Sequence, residues 1–165
     1  GSATVDFTGV QVGSPTLDFI QIDNAIGGNG TEGLFFRGSN TGAVDDAIDW
    51  TLDFSTLVYN VDLYFGSLDN DDQIQVQAYR NGEFIFLDST NFEIYDTANL
   101  KYTNPNIVYA PGNGSSSEDV FDEAFRFKLA GPVDSLIFKA FKNTGSSANV
   151  TLWISDFKSI LAPYN

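Results

Sequence analysis

The chain has 165 residues, and its composition of 42% hydrophobic and 15% aromatic residues is that of a globular protein able to bury one sizeable core. Its 22 acidic and 8 basic residues give a net charge of −14, which disfavours nucleic acid and anionic membrane surfaces as partners. There is no cysteine and no histidine, so disulfides, thiolate nucleophiles, ordinary zinc sites and histidine-based acid–base catalysis are excluded.

The length predicts one domain, over residues 3–165, because Gly1 and Ser2 resemble a remnant of cloning. No run approaches the roughly 20 apolar residues that a membrane span needs, so membrane insertion is not expected. Proteins that bacteria secrete often lack disulfides, and calcium often supplies their cross-links instead. We therefore expect a monomeric extracellular domain that belongs to a larger chain.

Short runs of alternating apolar and polar residues recur along the whole chain, separated by clusters of Gly, Asn, Asp and Ser. This pattern is typical of all-β proteins, and the number of runs favours a jelly-roll-like sandwich of two antiparallel sheets with about ten strands. The region near residues 92–95 is expected to be a short strand or an ordered loop. The predicted strands are 3–8, 17–22, 33–37, 47–54, 57–66, 73–79, 83–88, 106–110, 123–129, 134–142 and 149–155.

Alternation within three of these strands predicts the side chains that face the core, because successive residues of a strand point to opposite faces. The polar residues between them are expected to face solvent. The predicted inward residues are Ile48, Trp50, Leu52 and Phe54 in the first strand, Tyr59, Val61, Leu63 and Phe65 in the second, and Ile74, Val76 and Ala78 in the third.

An acidic turn, Asp-Asn-Asp-Asp at residues 69–72, joins the strands predicted at 57–66 and 73–79. Carboxylates this close repel each other unless water and salt screen them or a cation lies among them. Calcium takes six to eight oxygen ligands, from Asp, Asn and backbone carbonyls, which such a turn offers. The alternative is a solvated acidic rim made of turn residues.

Only Ser55 and Thr56 separate strands 47–54 and 57–66, which we interpret as antiparallel neighbours or as a tight connection between sheets. Either arrangement brings the start of the first strand to the end that carries the acidic turn, and strand 83–88 is expected to return there through its own turn. The predicted calcium ligands are Asp45, Asp46, Asp69, Asn70, Asp71, Asp72 and Asp88.

Trp153 lies on the face of strand 149–155 opposite to its apolar residues, and an outward Trp is a platform on which a sugar ring or a peptide side chain stacks. The alternatives are a covering loop or a shift of alternation at a bulge. Gln75 and Gln77 lie on the predicted outer face of strand 73–79. Their amides can hydrogen-bond to sugar hydroxyls or to a peptide backbone, or they can simply be solvated.

Several segments together follow a pattern of bacterial surface proteins. These are a Phe, turn, Val and apolar strand at 54–65, the acidic turn, a strand at 74–76, a Tyr-Arg-Asn-Gly hairpin at 79–82, and closing segments at 127–136 and 152–157. In this the chain resembles the calcium-dependent peptide- or sugar-binding jelly-roll domains of bacterial repeats-in-toxin adhesins. The resemblance implies a domain at the bacterial cell surface that uses calcium and binds a peptide or carbohydrate on a host or neighbouring cell.

Catalysis is not expected. Without His and Cys, a carboxylate-pair glycosidase is the remaining ordinary mechanism, and the five Glu residues form no Glu-x-Asp-x-Glu cluster on a strand. Two non-catalytic alternatives to an adhesin domain stay open, a carbohydrate-binding module of a secreted polysaccharide-degrading enzyme and a calcium-stiffened structural spacer. The chain length, the long loops within 89–122 and Trp153 favour a ligand-binding domain over a spacer.

Overall fold

The computed structural model describes residues 4–12, 16–26, 31–39, 47–66, 68, 71–95, 97–111, 124–142 and 149–161. Within them the protein is all-β, as predicted, with one short 3₁₀ turn, Ser89–Asn91. No helix in these ranges is long and apolar enough to cross a membrane. The strands are β1 (Val5–Val12), β2 (Thr16–Ile26), β3 (Thr31–Ser39), β4 (Ala47–Gly66), β5 (Asp72–Arg80), β6 (Glu83–Ile85), β7 (Phe92–Ile94), β8 (Lys101–Thr103), β9 (Ile107–Tyr109), β10 (Phe125–Leu129), β11 (Val133–Lys142) and β12 (Asn149–Leu161).

These twelve strands form one hydrogen-bonded sheet, in the order β2-β3-β12-β4-β11-β5-β9-β8. Four further pairings complete it, since β1 and β10 pair with β4, β7 pairs with β10, and β6 pairs with β5. Every one of the pairings is antiparallel. The 20-residue strand β4 is central, because its first half pairs with β1 and β11 whereas its second half pairs with β10 and β12.

The two halves of β4 do not pair with each other, so the interpretation of 47–54 and 57–66 as antiparallel neighbours is wrong. They face each other across the core instead. The ring of Phe65 lies 5.0 Å from that of Phe138, and Phe138 is the register partner of Trp50. A straight strand from Trp50 to Phe65 would be about 50 Å long. The contact therefore requires β4 to turn back over the core.

The turn in β4 coincides with two irregularities. The pairing with β11 skips residues 54–57, because Ser135 pairs with Asp53 while Val133 pairs with Val58. Further on, Asn60 has a left-handed φ of 50°, a conformation that Asn tolerates better than most residues and that marks a bulge. The extra residues let β4 leave one set of neighbours and join another.

The bulge at Asn60 also shifts the inward alternation by one residue. Val58 and Val61 are both buried, whereas Tyr59, which was predicted to face inward, is only half-buried. The prediction for Tyr59 was therefore wrong, since simple alternation cannot anticipate an inserted residue. The other predicted inward residues are confirmed as buried, namely Ile48, Trp50, Leu52, Phe54, Val61, Leu63, Phe65, Ile74, Val76 and Ala78.

The core continues from β4 into an aromatic cluster. Phe65 stacks on Phe125 at 4.8 Å, Phe125 lies 6.2 Å from Phe92, and Phe92 lies 5.6 Å from Phe127. The region after β6 showed little periodicity because single apolar residues anchor it, among them the buried Leu100. Its expected short element near 92–95 is the strand β7.

Candidate ligand-binding surface

The outer face of β5 carries the predicted amide row. Ile74, Val76 and Ala78 are fully buried, and Gln75 and Gln77 alternate with them, so their outward orientation is confirmed. Their role in binding stays a prediction. Both amides are already oriented, because Gln75 Nε2 donates to the carbonyl oxygen of Pro105 at 3.0 Å and Gln77 Oε1 accepts from the Tyr79 hydroxyl at 3.0 Å.

The same outer face continues across β11 into β4. Lys139 pairs with Gln75 on one side and with Asp49 on the other, which lines up an amide, an ammonium and a carboxylate in one row. Burial raises the pKa of Asp49, and the nearby Lys139 ammonium partly offsets that rise. Within the described residues Asp49 Oδ1 is buried without a hydrogen-bond partner. The row can therefore donate and accept hydrogen bonds, at some electrostatic cost to the fold.

A cleft of about 280 Å³ lies where this face meets the β5–β6 hairpin. Tyr79 joins the two, because its ring contacts Phe84 edge-on at 5.9 Å and Phe84 lines the cleft. Phe84 is 54% exposed and Phe86 is 81% exposed. Rings this exposed forgo the free energy of burial, and two of them in one hairpin form an exposed apolar patch. The lining residues are Arg80, Glu83, Phe84, Ile85, Phe86, Gly131 and Pro132.

Sequence reasoning did not single out this cleft. The predicted strand 83–88 has apolar residues on both faces, Phe84 and Phe86 on one and Ile85 and Leu87 on the other. Alternation therefore did not show which face is exposed. Only Leu87 is buried, because the strand ends at Ile85. A short strand that is apolar on both sides, next to a tight turn, was the signal that could have identified it.

The hairpin tip is held firmly. Asn81 and Gly82 both have positive φ, 53° and 79°, as the tight turn that best matches strand twist requires. The backbone N–H of Asn81 also donates to Asp134 Oδ2 at 2.7 Å, which ties the tip to the start of β11. The cleft therefore lies between a hairpin whose tip is held in place and residues 131–132.

The second outer face, formed by β10 and the end of β4, is covered at Tyr64. Tyr64 follows the outward alternation, yet it is buried, because the ring of Tyr95 lies 6.1 Å away and the Arg126 guanidinium lies 6.0 Å from its ring centre. Arg126 Nε also approaches Asp62 Oδ1 at 3.3 Å. Of the two outer faces, the one that includes β5 thus offers the more open aromatic surface among the described side chains.

The predicted calcium ligands fall into two groups. Asp45, Asp46, Asp69 and Asn70 lie outside the described residues. Asp71 is half-buried with a left-handed φ of 68°, and Asp72 is only 1% exposed at the start of β5. Phe141 of β11 pairs with both Ala47 and Gln73, so β4 and β5 begin at the same end of the sheet, with β11 between them.

Asp88 has a different place from the one predicted. The strand ends at Ile85 and does not carry Asp88 back along β5. Asp88 caps the 3₁₀ turn, where its Oδ1 accepts from the N–H of Thr90 at 2.8 Å and from the Thr90 hydroxyl at 2.6 Å. These bonds lower the pKa of Asp88. Within the described part of the chain, no three Asp or Glu residues form a group that could hold a metal ion.

Trp153 lies in β12, where its backbone pairs with Phe35 of β3 and with Gly66 of β4. It therefore occupies the interior of the sheet and not an edge. Its side chain falls outside the described part of the chain, and the stacking platform stays a prediction.

No family model matches this chain, and no curated protein matches it. Among solved structures, it is similar to the enzymatically active domain of tailspike protein 4 from bacteriophage CBA120, with a TM-score of 0.44 and 11% identity over 94% of this chain and 19% of that one. It is also similar to an exo-β-agarase, with a TM-score of 0.42 and 12% identity over 93% of this chain and 24% of that one. The chain spans a quarter or less of the length of these structures.

Proposed function

We propose that this chain is an extracellular, non-catalytic ligand-binding domain of a bacterial surface adhesin, which recognises a peptide or glycan for cell attachment. In this proposal the folded-over sheet is a jelly-roll-like sandwich of two antiparallel layers. The observation that carries the proposal is the cleft beside Phe84 and Phe86, which Tyr79 connects to the amide row of β5.

The exposed rings support binding over a purely structural role. Phe86 is 81% exposed, and burying an aromatic side chain stabilises by about 1.5–3 kcal/mol, so a partner that covers this ring gains that contribution. The hairpin beneath is held by a tight turn and by the bond to Asp134, so little conformational entropy would be lost on binding.

Calcium is proposed at the end of the sheet where β4 and β5 begin. Asp71 and Asp72 lie where β5 begins, and Asp69 and Asn70 directly precede them in the sequence. A cation bound by the turn would offset the repulsion among these carboxylates. Asp88 is left out of this proposal because it caps the 3₁₀ turn.

Two measurements on the purified domain test the proposal. Thermal melting in calcium should give a higher midpoint than melting in chelator, and equal midpoints would remove calcium from the proposal. Binding to peptide and glycan panels should be weakened by Phe86→Ala and not by Tyr95→Ala, which removes an exposed aromatic ring on the other outer face. Release of reducing sugar from a glycan would contradict the non-catalytic assignment, and binding to neither panel would favour the spacer.

A further inference from the structure

We infer that the cleft at the β5–β6 hairpin binds an apolar side chain of an extended peptide, and that a basic residue follows this apolar residue in the peptide. The inference rests on the proposed ligand-binding function and names the class of ligand. Its grounds are the size and lining of the cleft, the free edge of β6 and the charges beside them.

The cleft fits one side chain better than a chain of sugar rings. Its volume of about 280 Å³ is just below the range of about 300–1,000 Å³ that whole small-molecule ligands occupy. Four of its seven lining residues, Phe84, Ile85, Phe86 and Pro132, are apolar, whereas sugar hydroxyls require many donors and acceptors. An apolar side chain is the group that such walls accept.

The edge of β6 favours a peptide backbone. In the described part of the chain β6 pairs with β5 alone, so its other edge presents backbone N–H and C=O groups beside the cleft. An extended peptide can pair with such an edge while it places alternate side chains in a pocket. Glycans do not offer this regular alternation of donors and acceptors.

The charges around the cleft favour a basic neighbour. Arg80 and Glu83 occupy paired positions of the hairpin and offset each other. Beyond them the surface is acidic, with Asp134 at the start of β11. With a net charge of −14 on the whole chain, the long-range field also attracts cations.

Two further carboxylates extend this acidic surface across the outer face. Tyr79 pairs with Ser135, Ser135 with Asp53, and Asp53 with Asp6. Strand spacing places Asp53 about 10 Å from Tyr79. Asp53 and Asp6 are both exposed and directly opposite each other, an arrangement that repels and that a bound cationic group would relieve.

Four labelled probes and one titration assay test the inference. The probes are a short peptide with one leucine followed by two lysines, the same peptide with glutamates for lysines, the lysine peptide with glycine for leucine, and a neutral oligosaccharide. The leucine–lysine peptide should bind about tenfold more tightly than the glutamate peptide at low salt, and this preference should shrink as salt rises. Removing the leucine, or the Phe86→Ala substitution, should each weaken its binding by about tenfold.

A pair of charge variants locates the effect. Asp53→Asn and Glu93→Gln change the net charge equally, but Glu93 lies on β7, opposite Arg126 in the register of β10, and its carboxylate already forms an ion pair with Lys128. Asp53→Asn should reduce the lysine preference at least twofold, and Glu93→Gln should leave it unchanged.

Three results would overturn the inference. Equal binding of the lysine and glutamate peptides would contradict the preference for a basic residue. Equal effects of the two charge variants would contradict a role of the acidic surface near Asp53. If the oligosaccharide competes with the peptide and its binding is lost in Phe86→Ala, the ligand is a glycan and not a peptide, and the proposed ligand-binding function stands. If none of the probes binds and the broader panels also fail, the proposed function itself is wrong.

Discussion

The contact between Phe65 and Phe138 tests whether β4 turns back over the core, as the structure requires. Both rings are fully buried and meet edge to face with centroids 5.0 Å apart. Such a pair contributes about 0.5–1.5 kcal/mol beyond the area that it buries. Replacing either ring by alanine would cost about 3–5 kcal/mol and could unfold the domain, so leucine is the better substitution.

The measurement is a double-mutant cycle of Phe65→Leu and Phe138→Leu, with free energies of unfolding from denaturant titrations. We expect a coupling energy of about 0.5–1.5 kcal/mol between these two positions. Phe92 and Phe138 serve as the control pair, because the rings of Phe125 and Phe65 separate them. The control cycle should be additive within about 0.3–0.5 kcal/mol.

Additive effects of Phe65→Leu and Phe138→Leu would refute the folded-over arrangement of β4. The two rings would then lie in separate parts of the molecule, as in a straight strand. Coupling in the control pair as large as in the test pair would show a general loss of packing and no specific contact between Phe65 and Phe138.

Two further predictions concern stability. Burial raises the pKa of Asp49 in the folded protein above its usual value of 3.8. The ionised carboxylate therefore destabilises the folded state at pH values above its raised pKa, and this cost is absent below about pH 3.8, where Asp49 is protonated in both states. Asp49→Asn should raise the melting temperature at pH 7, and this gain should disappear below about pH 3.8. A gain that persists at low pH would mean that packing, and not ionisation, is responsible. Asn60→Ala should destabilise by about 1 kcal/mol in denaturant titrations because of the left-handed φ, whereas Asn60→Gly should be close to neutral, and equal effects would argue against the bulge.

The fold class and much of the core followed from the sequence because alternation depends only on the strand period. Ile74, Val76 and Ala78 are buried and Gln75 and Gln77 face outward, as the pattern of β5 predicted. Turn chemistry was equally informative, since the Asn-Gly pair at 81–82 adopts the positive φ angles that these residues allow. Such local signals need no knowledge of distant neighbours.

The candidate site could be predicted only in part. Gln75 and Gln77 were identified, whereas the cleft was not, because Phe84 and Phe86 become exposed only when the chain leaves β5 after Ile85. Asp88 illustrates the same limit, since its capping of the 3₁₀ turn depends on where that strand ends.

By itself the sequence determined an acidic, all-β chain without histidine or cysteine, and the face on which most residues of its clearest strands lie. Only the tertiary structure decided that 47–66 is one strand, that it turns back so that Phe65 meets Phe138, and that a cleft lies beside the β5–β6 hairpin. The reason is physical. Alternation is a property of neighbours along the chain, whereas a bulge, the end of a strand or an exposed ring depends on which distant segments pair and which surfaces they leave uncovered.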